Sequence, residues 1–471
     1  VTQTTLQLTQ SKDVKFGTSG VRGLVSDLTD DVVYGFAYAF LTAVADKSTA
    51  VVLGHDLRDS SPSIASACAK AAQDLGVGVD YVGALPTPAI AYYAGISGLP
   101  AIIVTGSHIP FDRNGIKFYT AKGEITKADE QAINNAPVEL TASLSAVLPP
   151  VNAAAYESYC QRYLDCYAGC LEGRTVAIYQ HSSVGRDLFA DLFQRLGASV
   201  LTLGRTDQFV PIDTEAVSRE DHERAKAWAS EYDFDVLFST DGDADRPLIG
   251  DARGQWLRGD RLGVLCAKAL GADAVVTPVS SNSVVSESGA FDRVERTKIG
   301  SPYVIEGMQA LTSGYQSVVG YEANGGFLTA SAINIEGKTL AALATRDAVL
   351  PLLAVMRECR KQACSVADLD AQLPAIFTAS DRVKGVTPER GQAFIELMAK
   401  LPFELAETLS LGELIATDLT DGCRLTFEDN VIVHFRQSGN APELRCYSEA
   451  RSVERAAEVN AQALAFAVGQ L

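Results

Sequence analysis

This sequence is poor in positive charge. Against 58 Asp and Glu it carries 40 Lys and Arg, a formal net charge of −18. No broad basic face is expected, so neither nucleic acid nor an anionic membrane surface is predicted as a partner. Long apolar runs are also missing. None reaches the roughly 18 residues that suggest a membrane-spanning helix. The N-terminal stretch VTQTTLQLTQ lacks a basic region followed by an apolar core, so no secretory signal is predicted. The nine cysteines are scattered and odd in number. Cys160, Cys166 and Cys170 cluster, but their spacing matches no usual zinc pattern. They read as reduced, mostly structural thiols of a cytoplasmic protein. A small anionic ligand stays open, because it needs only a local set of arginine, lysine and backbone N–H groups.

What the chain does have is repetition. Its 471 residues suffice for about three to five domains. Residues 50–83, AVVLGHDLRDSSPSIASACAKAAQDLGVGVDYVG, read as strand, polar loop, helix, strand. Ser60–Ser61–Pro62 starts the helix and Gly76 stops it. The same grammar returns at 175–204, where Leu188, Leu192, Phe193 and Leu196 form the apolar face and Gly197 ends the helix. A weaker copy occupies 272–300. Each copy is followed by a further helix-like segment and another apolar strand, in AIIVTGSHIP, DVLFSTDGDADRP and SVVGYEANGG. This alternation predicts mainly parallel α/β sheets, with ligands outside the carboxyl ends of the strands. From about Ser365 no fourth copy follows. CRLTFEDNVIVHFRQSGNAPELRCYSEA alternates like an antiparallel sheet, and a closing helix follows it, so a small α+β domain is expected. Boundaries fall near 150, 253 and 370.

The polar loops after these strands carry the chemistry. In STDGDADRPLIGD, Asp241, Asp243 and Asp245 alternate directly after the strand VLF. Three close carboxylates repel unless a cation sits among them, and oxygen ligands suit Mg²⁺ or a similar hard ion. An EF-hand is excluded, since Arg246 and Ala252 stand where its Gly and Glu belong. The alternative is a solvated acidic turn. In IIVTGSHIPFDRNGIKFY, Ser107 and His108 lack the second glycine of a hydrolase elbow. Asn114–Gly115 reads as a tight turn that returns Lys117 toward Ser107. Serine, lysine and a metal site together suit a phosphorylated serine better than an acyl-enzyme.

Three further loops are weaker by themselves. FGTSGVRG (16–23) offers glycines for close approach to an anion and Arg22 as a clamp. GYEANGGFL (320–328) offers Glu322 and Asn324 to sugar hydroxyls, or is an ordinary hairpin turn. FRQSGNAPELRCY (435–447) brings Arg436, Ser438, Gly439 and Asn440 together as a wrap for a phosphate dianion, or is a β-turn with a surface arginine. Arg445 adds charge there or is a solvated strand residue.

Taken in order, these five loops resemble those of the α-D-phosphohexomutases, and the resemblance covers essentially the whole chain. It implies a heart-shaped enzyme of three similar α/β domains with mixed, mainly parallel sheets (1–150, 151–252 and 253–370) and a C-terminal α+β domain (371–471), set around a central cleft. It implies that Ser107 is the phosphoserine and that Asp241, Asp243 and Asp245 hold one Mg²⁺ together with a Ser107 phosphate oxygen. Arg22, His108, Lys117 and Arg246 resemble the surrounding polar set, Glu322 and Asn324 the sugar-reading pair. Arg436, Ser438, Gly439 and Asn440, with Arg445, resemble the site of the non-reacting phosphate. The implied reaction interconverts hexose 6-phosphate and hexose 1-phosphate through hexose 1,6-bisphosphate, which also serves as activator. Lys117 is the first candidate for the base and His108 the second. A monomer or homodimer is expected.

The sequence departs from the family pattern at Ile109, Gln437 and Asn324. The last of these bears on the sugar. The GYEANGG and SGNAPELRCY variants look most like bacterial members acting on mannose phosphate, with glucose or glucosamine phosphate as alternatives. Two other readings are a metal-dependent sugar phosphatase and a non-catalytic phosphosugar-binding protein. Against the first, Asp245 stands where that class prefers Thr or Val. Against the second stand Ser107, Lys117 and the three aspartates.

Overall fold

The computed structural model describes residues 2–17, 20–438 and 442–471. They form two compact units. One holds the chain up to Gly259 together with Asn324–Val366; the other holds Asp260–Ala323 and Ala367–Leu471.

The first unit contains two α/β sheets. In the larger, the strand Ala50–His55 lies between Gly78–Ala84 and Ala101–Val104, all parallel. Its apolar run Val51–Val52–Leu53 is buried on both faces, as a central parallel strand requires. The helix Ser61–Asp74 starts with proline in its first turn, and Gly76, at a φ of 70°, follows its end. Beyond Ala101–Val104 the sheet turns antiparallel through Arg113–Thr120, Val21–Leu24 and Val14–Phe16. The second sheet repeats the plan. Ser199–Leu203, Thr175–Tyr179 and Val236–Thr240 are parallel, and Pro247–Asp251 closes it antiparallel. Fully buried Phe238 meets Phe189 and Phe193 edge-on at 5.1 and 5.2 Å, fixing the strand whose end carries the three aspartates.

One reading is corrected here. Asn114–Gly115 is not a turn; both residues lie inside the strand Arg113–Thr120. The Asn114 amide donates to Ser60 Oγ and Ser61 Oγ, at 2.8 and 2.9 Å. Gly115 is needed because a Cβ there would lie 2.5 Å from the Val21 carbonyl oxygen and 2.9 Å from that of Thr105. Lys117 is brought back by strand pairing opposite Ile103. Asparagine and glycine favour turns for local reasons, and here non-local crowding decides.

The first unit also holds the antiparallel pair Phe327–Thr329 and Leu343–Asp347. Asp347 accepts from Tyr159 Oη at 2.7 Å, from Tyr163 Oη, and from the Val349 N–H at 3.0 Å. These bonds tie the helices Ala154–Tyr167 and Val349–Gln362 to the strand carrying Arg346.

In the second unit, Ala274–Pro278 pairs in parallel with Arg293–Thr297 and Val318–Tyr321. The helix expected after Ala274–Pro278 shrinks to Val284–Glu287, because the serine-rich SSNSVVSESG competes with helix through its own side chains. The C-terminal sheet is antiparallel throughout, in the order Phe377–Lys384, Glu443–Ala450, Ile432–Gln437, Cys423–Phe427, Leu414–Asp418. The closing helix Val453–Gln470 is capped by Ser452, which accepts from the Arg455 N–H. Among the described residues no helix is long and apolar enough to cross a membrane.

Phe238→Ala leaves a cavity between two phenyl rings and is expected to cost about 3–5 kcal/mol, read as a lower urea midpoint. A loss below about 1 kcal/mol would show that this ring cluster does not anchor the second sheet.

Candidate active site

The serine loop begins where Ala101–Val104 ends. Its backbone is held from below by Arg58, which the sequence reading passed over. This buried guanidinium donates to four carbonyl oxygens, of Ser107 (3.0 Å), Ile109 (2.6 Å), Pro110 (2.8 Å) and Arg113 (2.9 Å). Asp56 accepts from the Gly106 N–H at 3.2 Å, and Thr105 Oγ1 from the Ser107 N–H at 2.8 Å. Ser107 itself sits at a φ of 50°, a left-handed conformation that costs free energy for a serine. The surrounding bonds over-determine it. The signal was present in HDLRDSSP, a polar loop at the carboxyl end of the parallel strand Ala50–His55, the side of such a sheet on which ligands are expected.

Ser107 Oγ donates to Asp241 Oδ2 at 2.7 Å. Gly242 permits this approach, since a Cβ there would lie 2.8 Å from the Ser107 carbonyl oxygen. Asp241, Asp243 and Asp245 are buried, and each brings an oxygen within 4.8 Å of the others, the one such acidic cluster among the described residues. Lys117 Nζ donates to Asp243 Oδ2 at 2.7 Å and Asp245 Oδ2 at 2.9 Å. Thr87 Oγ1 adds a bond to Asp243 Oδ2 at 2.7 Å. Arg346, also unforeseen, donates through Nε and Nη2 to Asp245 Oδ2 at 3.1 and 2.9 Å. A lone TRD inside a short strand carries no motif by which to find it.

Charge follows this geometry. Burial raises Asp241 well above the carboxylate range, and Asp243 and Asp245 raise it further. Burial also pushes Asp243 upward, but Lys117, Thr87 and Arg346 more than offset it and hold the group ionised. Asp245 is lowered in the same way, against burial, chiefly by Arg346 and Lys117. Burial disfavours the Lys117 ammonium, yet Asp243 and Asp245 bring it net above its ordinary value. Arg22 is lowered to about 10 by burial and by Arg246 and Arg346. His108 falls to about 2, first through Arg246, then burial and Arg22. Its Nδ1 accepts from Arg246 Nη1 at 2.9 Å and lies 3.4 Å from Ser107 Oγ.

The residues fit a hard cation. Asp243 Oδ1 and Asp245 Oδ1 are buried with no hydrogen-bond partner among the described residues, an arrangement that costs free energy without a ligand. Carboxylate oxygens alone suit Mg²⁺ or a similar ion, not a soft metal.

The first unit thus brings together Ser107, His108, Lys117, Arg22, Arg246 and the three aspartates. Asn324 belongs to the same unit. Its carbonyl oxygen accepts from Thr214 Oγ1 at 2.7 Å and its Oδ1 from the Gly326 N–H at 2.9 Å. Glu322, buried, and the phosphate-loop residues belong to the second unit. There Arg436 Nε donates to Asp421 Oδ1 at 3.0 Å, and the Ser438 N–H donates to the Glu443 carbonyl oxygen at 2.9 Å. Arg445 lies opposite Arg436 on the neighbouring strand. Gly439 and Asn440 lie outside the described residues.

Residues 13–141 match the family described as phosphoglucomutase/phosphomannomutase, alpha/beta/alpha domain I, and residues 258–377 match its alpha/beta/alpha domain III. The chain is 45% identical over 460 residues to a phosphomannomutase of Salmonella muenchen, covering 97% of this chain and 96% of that protein. It is 41% identical over 465 residues to a phosphomannomutase of Sinorhizobium fredii, covering 96% and 98%. A phosphoglucomutase/phosphomannomutase family protein from Burkholderia thailandensis shares the fold, with a TM-score of 0.73 at 20% identity over 96% of each chain. The chain belongs to the phosphoglucomutase/phosphomannomutase family, the α-D-phosphohexomutases. It is an enzyme, a mutase of the isomerase class.

Arg346→Gln removes the two bonds that Arg346 donates to Asp245. Loss of such a supporting partner is expected to weaken Mg²⁺ binding about 10–100-fold, measured by calorimetric titration, with Arg346→Lys in between. Parental affinity in both variants would show that Arg346 does not support the cluster.

Proposed function

We propose that this enzyme interconverts the 6- and 1-phosphates of a hexose, mannose phosphate being preferred, with Ser107 as the phosphoryl carrier. One observation supports the carrier role above others. Ser107 Oγ lies 2.7 Å from a buried carboxylate cluster with orphaned oxygens, beside Lys117, Arg246 and Arg346. A neutral serine gains little from such surroundings. A phosphoserine dianion gains a cation-rich seat.

In the proposed cycle, the bond from phosphorus to Ser107 Oγ breaks as a hexose hydroxyl oxygen bonds to that phosphorus, giving hexose 1,6-bisphosphate. Over the step the hydroxyl proton replaces phosphorus on Ser107 Oγ, so Ser107 is left as the free side chain. After the sugar turns over, Ser107 Oγ bonds to the other phosphorus as the bond from that phosphorus to the hexose oxygen breaks, the Ser107 proton passes to the freed hexose oxygen, and the product leaves. Asp241, Asp243, Asp245 and the Ser107 phosphate would hold one Mg²⁺. When bound, that ion supplies neutralisation of phosphoryl charge. Arg246 and Arg22 place further positive charge at the serine, and Arg58 holds the loop still while the bond changes.

Lys117 enters as a cation. An ammonium already donating to two carboxylates has no lone pair for the hydroxyl proton, which counts against it as the base. His108 is no readier in this arrangement, since Arg246 occupies its Nδ1 lone pair. Glu322 accepts and Asn324 donates to sugar hydroxyls. Arg436 and Ser438, with Gly439, Asn440 and Arg445, receive the phosphate that is not transferred. Mannose is preferred because the relatives that are 45% and 41% identical over almost the whole chain are both phosphomannomutases.

Lys117→Ala is expected to lower kcat by about 10²–10³. Magnesium affinity in that variant should not fall, because the substitution removes a competitor for Asp243 and Asp245. Undiminished turnover would remove Lys117 from the mechanism. Parallel assays with mannose, glucose and glucosamine phosphates should give the highest kcat/KM for mannose phosphate, and Ser107→Ala should abolish turnover of all three. A glucosamine preference would overturn the sugar assignment, and an active Ser107→Ala enzyme the carrier.

A further inference from the structure

In the second unit, one carboxylate outside every motif discussed so far joins two loops. Asp421 lies in the turn between the strands Leu414–Asp418 and Cys423–Phe427. Its Oδ1 accepts from Arg436 Nε at 3.0 Å, and its Oδ2 from the Ile299 N–H at 2.9 Å. Its carbonyl oxygen accepts from His434 Nε2–H at 2.7 Å. Ile299 belongs to the loop between the strand Arg293–Thr297 and the helix Ser301–Leu311. The turn is pressed onto the strand that carries Arg436. A Cβ at Gly422, whose φ is 84°, would lie 2.2 Å from the Phe435 carbonyl oxygen.

These contacts restrict Arg436. The Asp421 and Arg436 side chains are only 19% and 17% exposed, so their bond is shielded from the solvent competition that weakens surface pairs. Nε is engaged, while the two terminal amines make no hydrogen bond among the described residues. An arginine held at Nε presents those amines as a pre-oriented fork, the geometry that grips a phosphate at two points. Because Asp421 uses its other oxygen on Ile299, Arg436 cannot swing with its partner unless the 298–300 loop yields as well.

We propose that Asp421 is a positioning residue for phosphate binding: it aims the Arg436 fork at the non-transferred phosphate and locks that aim to the 298–300 loop. The proposal rests on the reading of Arg436 as a phosphate ligand. It requires no contact between Asp421 and the substrate, and direct contact would repel. Pre-orientation reduces the ordering cost of binding, so its loss appears mainly in affinity.

The test is calorimetric titration of the full-length enzyme with inorganic phosphate, paired with steady-state kinetics on hexose phosphate. Asp421→Asn should weaken phosphate binding about tenfold, the scale of one charge-assisted hydrogen bond, and raise KM more than it lowers kcat. Asp421→Glu keeps the charge but displaces the oxygens, and should lie between parent and Asn variant; it carries the test alone if the Asn variant does not fold. In an Arg436→Gln background, Asp421→Asn should add less than about twofold, the non-additivity expected of residues acting through one contact. Phosphate affinity within twofold of the parent in the Asp421 variants overturns the proposal. So does an undiminished effect of Asp421→Asn in the Arg436→Gln background. If Arg436→Gln alone binds phosphate as the parent does, the phosphate-loop reading fails and the proposal falls with it; if it weakens binding while the Asp421 variants do not, only the proposal falls.

Discussion

Three carboxylates buried within reach of one another are the constraint around which the first unit is organised. Taken out of water together, they would protonate or force the loop open unless positive charge were built against them. The protein supplies Lys117 from the first sheet and Arg246 from the same loop as the aspartates. It adds Arg346 from the strand Leu343–Asp347. The three cations come from three separate stretches of chain, so the cluster also acts as a structural joint within the unit. Two carboxylate oxygens still accept no hydrogen bond among the described residues, and that residual demand suits a hard cation.

The second requirement is that a serine reach this cluster. Left to local preferences, Ser107 would not adopt a left-handed backbone. Arg58 makes it do so by satisfying the carbonyl oxygens of the serine and of the loop that follows it, with Asp56 fixing the preceding N–H. The strain is stored at the serine that reaches the acidic cluster, and the scaffold beneath it bears the cost. A comparable logic operates in the second unit. There Arg436 is held by Asp421, which is itself tied to the Ile299 N–H. In both places a motif residue is held in position by a side chain outside the motifs.

Much of the fold was legible. Alternating apolar runs and helix-spaced segments point to parallel α/β units, and the stop glycines at 76 and 197 fall where helices end. The serine-rich third copy yielded only one helical turn, because serine hydroxyls compete for the backbone. Asn114–Gly115 misled, since its turn propensity is local whereas its place in a strand is imposed by neighbours on both sides. The acidic alternation, the serine and the arginine of the phosphate loop were all visible as short motifs. Arg58 stood in a polar loop but acts on backbone oxygens at least 49 positions away, and Thr87 and Arg346 act through partners 156 and 101 positions away. Asp421 acts on Arg436, 15 positions on, across a turn that carries no motif.

What the sequence by itself determined is therefore the inventory. It sets which loops can carry charge, which strands end in them, and which family the ordered set resembles. Tertiary structure decided the pairing, because electrostatic and hydrogen-bond free energies depend on separation in space and on exclusion of water, neither of which is a property of sequence distance. Ser107 and Asp241 are 134 positions apart in the chain and 2.7 Å apart in the fold. Lys117 lies 2.7 and 2.9 Å from two carboxylates 126 and 128 positions away for the same reason.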